Sequence, residues 1–438
     1  MIFTNTFEAN TSTLLLSLAT ALLAGLLLSR VVKLIKLPAV TAYLIAGILI
    51  GPSLLGSLGI PGLGIIKEEL HGLKILSELA LGFIAFAMGN EFRISQLKKI
   101  GKPATVIGIF QAVFTTLVVD AALIGLHFII PEHFSLRAAI ILGAIATATA
   151  PAATLMVVKQ YKAKGPLTDL LLPVVALDDA VGLIIFAISF GIAKSLGTGE
   201  VDVLSIVVEP LLEIVLSLGL GALLGFIFFL VEKIFHSRSK RMAVTVSFVM
   251  LAVGLSALKF NIGNVHIGFS SLLTCMMLGT LFCNVCDFSE ELMARADRWT
   301  TPVLILFFVI SGAELQFDVF SGIVILMGVV YIIFRSIGKY AGANISSRIS
   351  KQDSNIIKYL GITLLPQAGV ALGMAMKAGT ELGAEGIIIS NITLFAVLIY
   401  EIIGPFLTKV SLTKAGDIDP SGRKSGRGVH PETKENTL

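Results

Sequence analysis

Long apolar runs, separated by short polar or turn-rich breaks, fill the chain from about residue 12 to residue 412. A run of about 20 apolar residues is long enough to cross a bilayer as a helix. The pattern predicts thirteen candidate spans, near residues 12–31, 38–57, 72–90, 103–130, 137–158, 166–194, 204–232, 240–259, 265–285, 300–315, 319–345, 356–379 and 384–412. The first run is interpreted as a span and not as a secretory signal, because MIFTNTFEANTST has no basic residue and no small-residue cleavage site follows.

The composition agrees with an all-α polytopic membrane protein. Of 438 residues, 55% are hydrophobic and only 14% are charged, and the mean hydropathy is +0.92. Soluble domains carry about 25% charged residues, so the composition excludes a soluble enzyme, a nucleic-acid binder and a disordered chain. Three cysteines do not form a disulfide framework. No phosphate-binding glycine loop followed by Lys and Ser or Thr is present, so we expect neither ATP-driven pumping nor a cofactor.

The charges of the loops predict the orientation of the chain in the membrane. Lys and Arg accumulate in loops on the cytoplasmic side. Alternate loops read SRVVKLIK, EFRISQLKKIGK, KQYKAKG, EKIFHSRSKR and SSRISKQ, and one further loop on that side, CDFSEELMARADR, is mixed and slightly acidic. The opposite loops, such as KEELHGLK and KAGTELGAEG, are neutral or acidic on balance. We therefore expect an N-terminus outside and a C-terminus in the cytoplasm. Residues 1–413 are interpreted as the transmembrane domain and residues 414–438 as a flexible cytoplasmic tail.

Two spans are interrupted in matching ways. One carries ATATAPAAT around Pro151, and another carries LLPQAGVALG around Pro366 and Gly369. Proline removes a backbone donor and clashes with the preceding turn, so each span should break near its middle. Asp120 precedes Pro151 by 31 residues, and Arg335 precedes Pro366 by 31 residues, which favours two related halves. Paired interrupted spans indicate the central site of a transporter, although two unrelated proline kinks are the alternative.

Two adjacent carboxylates, Asp178 and Asp179, lie near the centre of the span LLPVVALDDAVGLIIFAISFGIA. A carboxylate at this depth costs at least about 2.5 kcal/mol, so the pair needs a partner, a cation or protons. Adjacent helix positions point about 100° apart, so one side chain can line a cavity while the other faces a neighbouring helix. A carboxylate that binds either a proton or a hard cation is sufficient for exchange. A purely structural ion pair is the alternative.

A later span, VVYIIFRSIGKYAGANISS, supplies the cationic partners. Arg335 and Lys339 are four residues apart and share one helix face. Lys339 lies deeper than snorkelling from the nearby basic loop would require, so we expect it to pair with an aspartate. Snorkelling to the interface is the alternative for both residues.

Hydroxyls flank the first interruption. Thr147 and Thr149, with the carbonyls of an unwound turn, offer the hard oxygen ligands that an alkali cation requires. Hydrogen bonding of each hydroxyl to its own preceding turn is the alternative. Three other carboxylates are weaker candidates. Asp120 either bonds Arg335 or takes part in transport, and Glu314 and Glu401 are expected near helix ends or in structural pairs.

Taken together, LPAVTAYLIAGILIGPSLLG, LALGFIAFAMGNEF, ATATAPAAT, VALDDA, IGKYAG and LLPQAGVALGM resemble the cation:proton antiporter superfamily. Their order and spacing match it from about residue 12 to residue 412. The paired aspartates are similar to those of its electrogenic branch, the cation:proton antiporter-2 family. The resemblance implies inverted repeats with two crossed, broken helices, a dimerisation domain interleaved with a six-helix core, elevator-like alternating access and a homodimer in the bacterial inner membrane.

The resemblance also implies roles for individual residues. Asp179 would bind the cation, most simply sodium, and the proton. Asp178 would be its partner and would pair with Lys339, and Thr149 matches the threonine of the first broken helix. The chain carries Ala150 where many relatives carry an aspartate, so the cation would have one carboxylate fewer.

The function that these features predict is electrogenic exchange of sodium or lithium for protons. Potassium/proton exchange is the first alternative, although potassium-efflux relatives add a cytoplasmic nucleotide-binding domain that this sequence lacks. A cation channel and a sodium-coupled organic anion transporter are alternatives from other classes. Beyond membrane lipid and a second copy of the chain, no partner is expected.

Overall fold

The computed structural model describes residues 11–34, 39–60, 62–131, 134–150, 154, 157–158, 161–198, 203–258, 260–262, 265–286, 288–317 and 321–418. The chain forms a bundle of mostly long helices. Its first part comprises α1 (Thr11–Leu34), α2 (Ala39–Ile50), α3 (Lys67–Glu91), α4 (Ile94–Ile129), α5 (Leu136–Ile145), α6 (Pro166–Thr198) and α7 (Val203–Ile234). The remainder comprises α8 (Arg238–Ser256), α9 (Ser271–Val285), α10 (Ser289–Ala313), α11 (Gly322–Ile349), α12 (Ser354–Thr363), α13 (Gly369–Glu381) and α14 (Gly383–Ala415).

Each predicted span contains a helix in the described ranges, and the mostly helical structure confirms the predicted fold class. Nine of the described helices are long and apolar enough to cross a membrane. The span expected at 356–379 is divided into α12 and α13, and in the span expected at 137–158 the helix α5 ends at Ile145. Both interruptions were predicted from the sequence.

A short hairpin is the one departure from an all-helical fold within the described residues. Strands β1 (Phe260–Ile262) and β2 (Val265–Ile267) pair antiparallel, with Asn261 opposite His266. The span predicted to start at residue 265 therefore begins with a strand, and its helix starts only at Ser271. The Ser270 hydroxyl accepts a hydrogen bond from Leu273 N and marks that start as an N-cap.

The helices pack in two groups. The first contains α4, α5, α6 and α11–α14; the second contains α1–α3 and α8–α10, and α7 packs against members of both. Glycines allow the closest approaches. A Cβ on Gly47 of α2 would lie 1.9 Å from Val309 O of α10, so only glycine fits there.

The predicted tail starts later than residue 414. Helix α14 continues to Ala415, and the Asp417 side chain is buried. Asp417 Oδ2 accepts hydrogen bonds from Thr168 N (2.6 Å) and Thr168 Oγ1 (2.7 Å) in the first turn of α6. These bonds satisfy an otherwise free amide at the helix start, so residues 414–418 belong to the packed domain. The rest of the predicted tail lies outside the described residues.

Candidate ion-binding site

The two interruptions touch each other inside the first helix group. The first interruption (residues 146–150) follows α5, and the second (residues 364–368) separates α12 from α13. Ala150 N donates a hydrogen bond to Pro366 O at 2.9 Å. Of the residues predicted to break these helices, Pro366 lies within the second interruption and Gly369 begins α13, while Pro151 lies outside the described residues. We call the contact between the two interruptions the crossing.

Arg335 of α11 binds the freed carbonyls of the crossing. Its guanidinium donates to Ala146 O (3.0 Å), Ala148 O (2.7 Å) and Leu365 O (2.8 Å), and the side chain is 0% exposed. On its other side, the guanidinium carbon lies 4.4 Å from the centre of the Tyr400 ring, a cation–π contact. Arg335 therefore does not snorkel: its positive charge neutralises helix C-terminal dipoles and joins both interruptions.

Lys339, one turn further along α11, contacts Asp178 as predicted. Lys339 Nζ lies 2.5 Å from Asp178 Oδ2, and both side chains are 0% exposed. The ammonium group also donates to Thr149 Oγ1 at 3.0 Å and to Thr147 O. This one cation thus satisfies a carboxylate of α6 and two atoms of the first interruption.

Asp178 receives two further donors. The Thr149 hydroxyl donates to its Oδ2, and Gln111 Nε2 of α4 donates to its Oδ1. Sequence reasoning missed Gln111, although an isolated amide in the apolar run VIGIFQAVF was a signal that could have identified it. The contact depends on Gly342 of α11, where a Cβ would lie 3.0 Å from Gln111 Cα. With Lys339 and two neutral donors, Asp178 is fully engaged as a carboxylate.

Asp179 differs from its neighbour because only one of its two carboxylate oxygens has a hydrogen-bond donor among the described residues. Its Oδ1 accepts a hydrogen bond from Thr149 N at 3.2 Å, while its Oδ2 is buried and has no donor among the described residues. The side chain is 1% exposed. A buried carboxylate oxygen without a partner is costly, so this oxygen is suited to hold a proton or to ligate a cation.

The two predicted threonines have different hydrogen-bond partners. Thr149 contacts both aspartates, through its hydroxyl and its amide. The Thr147 hydroxyl instead donates to Ala144 O of its own preceding turn at 2.7 Å, and only its carbonyl reaches Lys339. The Thr147 hydroxyl proton is therefore bound within its own preceding turn, an arrangement that threonine often adopts, while the hydroxyl oxygen keeps lone pairs that could ligate a cation.

The weaker candidates lie away from the aspartate pair. Asp120 does not bond Arg335; its carboxylate fills a groove at Gly143, where a Cβ would come within 1.7 Å of Asp120 Oδ1. Glu314 directly follows α10, as expected, and lines a cavity of about 540 Å³ together with Asn391 and other residues. Glu401 is neither near a helix end nor in a structural pair: it lies within α14, is 1% exposed, and has no hydrogen-bond partner for either oxygen among the described residues.

This geometry defines a class of protein: a multi-pass membrane transporter with broken helices that cross at a buried site of carboxylates. Residues 18–414 match the family described as sodium/hydrogen exchanger, transmembrane. The chain therefore belongs to the sodium/hydrogen exchanger family, a family of transporters and not of enzymes.

Curated relatives cover most of the chain at low identity. A Na⁺/H⁺ antiporter of Enterococcus hirae is 23% identical over 87% of this chain and 93% of its own length. The Na⁺/H⁺ antiporter NhaS4 of Synechocystis is 25% identical over 92% of this chain and 98% of its own length. The ammonium/H⁺ antiporter subunit AmhT of Alkalihalophilus pseudofirmus is 24% identical over 65% of this chain, and the match spans 66% of that relative's length.

A solved structure confirms the fold. The sodium proton antiporter MjNhaP1 of Methanocaldococcus jannaschii, determined at pH 8, matches with a TM-score of 0.74 at 17% identity. The match covers 92% of this chain and 98% of that protein. The predicted antiporter fold is thus confirmed.

Proposed function

We propose that the chain exchanges a monovalent cation, sodium or lithium first, for protons across the plasma membrane. The observation that carries this proposal is the buried Oδ2 of Asp179, which has no hydrogen-bond donor among the described residues. It lies beside Asp178, whose charge Lys339 already neutralises. A single buried oxygen cannot hold a proton and a cation at the same time. Competition between the two for Asp179 couples their movement in opposite directions.

In the proposed cycle, the arrangement described above is the proton-loaded state. Lys339 pairs with Asp178, and Asp179 holds a proton. When a cation enters, Asp179 releases its proton, and the ion pair between Lys339 and Asp178 loosens. The oxygens of Asp178 and those around Thr149 then become ligands of the cation. Asp179 supplies one proton for each cation in this cycle, and exchange that moves charge and responds to the membrane potential needs a second proton from another group.

The remaining parts of the proposal follow from the resemblance and from the loop charges. Helices α1–α3 and α8–α10 form a dimerisation domain in a homodimer, and the group that contains the crossing moves against it as an elevator. The Lys- and Arg-rich loops face the cytoplasm, which leaves the N-terminus outside and the C-terminus inside. No resident cofactor is required, because the transported cation and the proton carry the chemistry.

The identity of the cation is tested with purified full-length protein in proteoliposomes with an acidic lumen. Sodium, lithium, potassium or ammonium is added outside, and luminal pH is followed; potassium is the alternative cargo of the same fold, and ammonium enters the panel because of the named activity of one relative. We expect alkalinisation with sodium and lithium. Silence with every cation, in folded protein, would contradict antiport, and currents that a proton gradient does not reverse would indicate a channel.

The site is tested in the same assay with Asp179→Asn. We expect loss of cation-dependent proton release, because the amide neither titrates nor offers a charged oxygen. Asp169→Asn is the matched control, since Asp169 is an exposed aspartate in the first turn of the same helix. Full activity of Asp179→Asn would show that the site assignment is wrong.

A further inference from the structure

A further buried carboxylate, Glu401, has no role in the proposed cycle. It lies in the membrane-spanning helix α14, and its side chain is 1% exposed. Neither carboxylate oxygen has a hydrogen-bond partner among the described residues. Insertion of an ionised carboxylate at such a depth costs at least about 2.5 kcal/mol, and a buried acceptor without a donor costs about 1–3 kcal/mol. If the side chain only filled space, leucine or methionine would do so at a lower free-energy cost.

Among the described residues, the charged side chains on the helices that pack against α14 bind other groups or, like Arg348, are exposed, and none forms an ion pair with Glu401. Arg335 is bound to the crossing, Asp178 to Lys339, Lys377 to Glu213, Lys194 to Glu381 and Arg137 to Glu385, and Lys358 lies over the ring of Tyr359. With no countercharge, the neutral acid is the form of Glu401 that this environment accepts. Glu401 thus holds a proton in the same arrangement in which Lys339 pairs with Asp178.

The position of Glu401 connects it to the crossing. The preceding residue, Tyr400, stacks under Arg335, which holds both interruptions. One turn later, Gly404 packs so closely on the second interruption that a Cβ would lie 2.8 Å from Pro366 Cγ. Glu401 is therefore placed between two direct contacts with the crossing, and a change in the crossing is transmitted to its surroundings.

Helix α14 also borders the other helix group. It packs against α2, and Val40 of α2 packs against Ala150 and Ala368 of the two interruptions. These two helices also carry buried hydroxyls that lack a partner among the described residues, Thr41 Oγ1 on α2 and Thr408 Oγ1 on α14. When the two helix groups move past each other in the proposed elevator motion, the contacts between α14 and α2 change. Polar atoms of α2 then pass α14 and give the proton on Glu401 a route to water that the present packing lacks.

From this geometry we infer that Glu401 carries one of the protons that the transporter exchanges, in addition to the proton on Asp179. The inference rests on the proposed antiport. In the cycle, Glu401 is protonated while Asp178 and Lys339 are paired. It releases the proton to water on the side of the membrane from which the cation binds. It is reprotonated on the opposite side, after the cation has left. No other bond is made or broken.

The test measures the number of protons exchanged per sodium ion. Full-length protein is reconstituted in proteoliposomes, and the reversal potential of sodium-coupled proton movement is determined at several fixed sodium gradients. In Glu401→Gln, which keeps the shape of the neutral acid, we expect exchange to continue with the ratio of protons to sodium lowered by one. The matched control is Glu69→Gln, a buried glutamate that accepts hydrogen bonds from Ser17 and Ile66 N; it should keep the wild-type ratio.

Each outcome decides the inference. An active Glu401→Gln with the wild-type ratio would overturn it, as would a wild-type ratio of one proton per sodium, which Asp179 alone supplies. If Glu401→Gln is inactive, Glu401→Asp is measured: recovery of exchange at the wild-type ratio supports proton carriage, whereas an inactive Asp variant would show that a carboxyl group at this position does not suffice and would overturn the inference. Absence of any sodium-coupled proton movement in wild type would instead refute the antiport proposal itself.

Discussion

Lys339 and Asp178 form an ion pair that no solvent reaches, with 2.5 Å between Nζ and Oδ2. The pair joins α11 to α6, and the same ammonium group also binds the first interruption. Removal of one partner from a buried pair typically costs about 3–5 kcal/mol, because the other charge is left uncompensated. We therefore expect the pair to contribute to the stability of the fold.

Lys339→Met should lower the unfolding free energy in detergent micelles by about 3–5 kcal/mol. Adding Asp178→Asn should recover part of this loss, because the double variant no longer buries a lone charge. Lys358→Met, at an exposed position on α12, is the control and should be near neutral. Strictly additive effects of Lys339→Met and Asp178→Asn would contradict direct coupling.

Arg335→Lys should destabilise the protein and slow exchange. An ammonium group has no planar fork, so it cannot reproduce the three bonds to Ala146, Ala148 and Leu365. At least one buried carbonyl would lose its donor, at about 1–3 kcal/mol. Thermal unfolding and transport are both measured, against Arg348→Lys at an exposed position of the same helix. Equal behaviour of the two variants would show that the fork geometry is dispensable.

Gly182→Ala should impair exchange by displacing the first interruption. A Cβ at Gly182 of α6 would lie 2.4 Å from Thr147 Oγ1, so the threonine would have to move from its bond with Ala144 O. Gly125→Ala in α4 meets nothing within 4 Å and should gain about 1 kcal/mol from helix propensity. The comparison is made by initial rates of sodium-dependent proton release, and a fully active Gly182→Ala would mean that the interruption tolerates the shift.

Asp417→Ala should cost about 1–2 kcal/mol of stability, as for the loss of a helix cap. The substitution leaves the amide and hydroxyl of Thr168 without their acceptor at the start of α6. Asp353→Ala is a suitable control, because Asp353 occupies the N-cap of α12 without a side-chain hydrogen bond. If both variants unfold at the wild-type temperature, the contact between Asp417 and α6 contributes nothing measurable.

The sequence was sufficient to predict the helices and the partners of the central pair, for physical reasons. Apolar runs report burial in lipid directly, and a lysine and an aspartate at mid-membrane depth have few alternatives to each other. The interruption at Pro366 was equally readable, because proline leaves a helix no donor.

Other features depend on side-chain choices that spacing does not determine. Thr147 and Thr149 look equivalent in ATATAPAAT, yet one hydroxyl bonds its own helix and the other reaches Asp178. Gln111 becomes a partner of Asp178 only through the close approach of α4 and α11 at Gly342. Glu401 was expected near a helix end or in a structural pair, because a charged side chain in a membrane usually has a partner. That it has none among the described residues depends on tertiary packing, which the spacing of residues does not determine.

The bonds at the crossing have a consequence for how such transporters diversify. The link between the interruptions uses Ala150 N and Pro366 O, and Arg335 binds carbonyls, so backbone atoms accept or donate in each case. Any residue at position 150 except proline supplies the same amide. Substitutions at position 150 can therefore change the side chain while the hydrogen bond between the two interruptions persists.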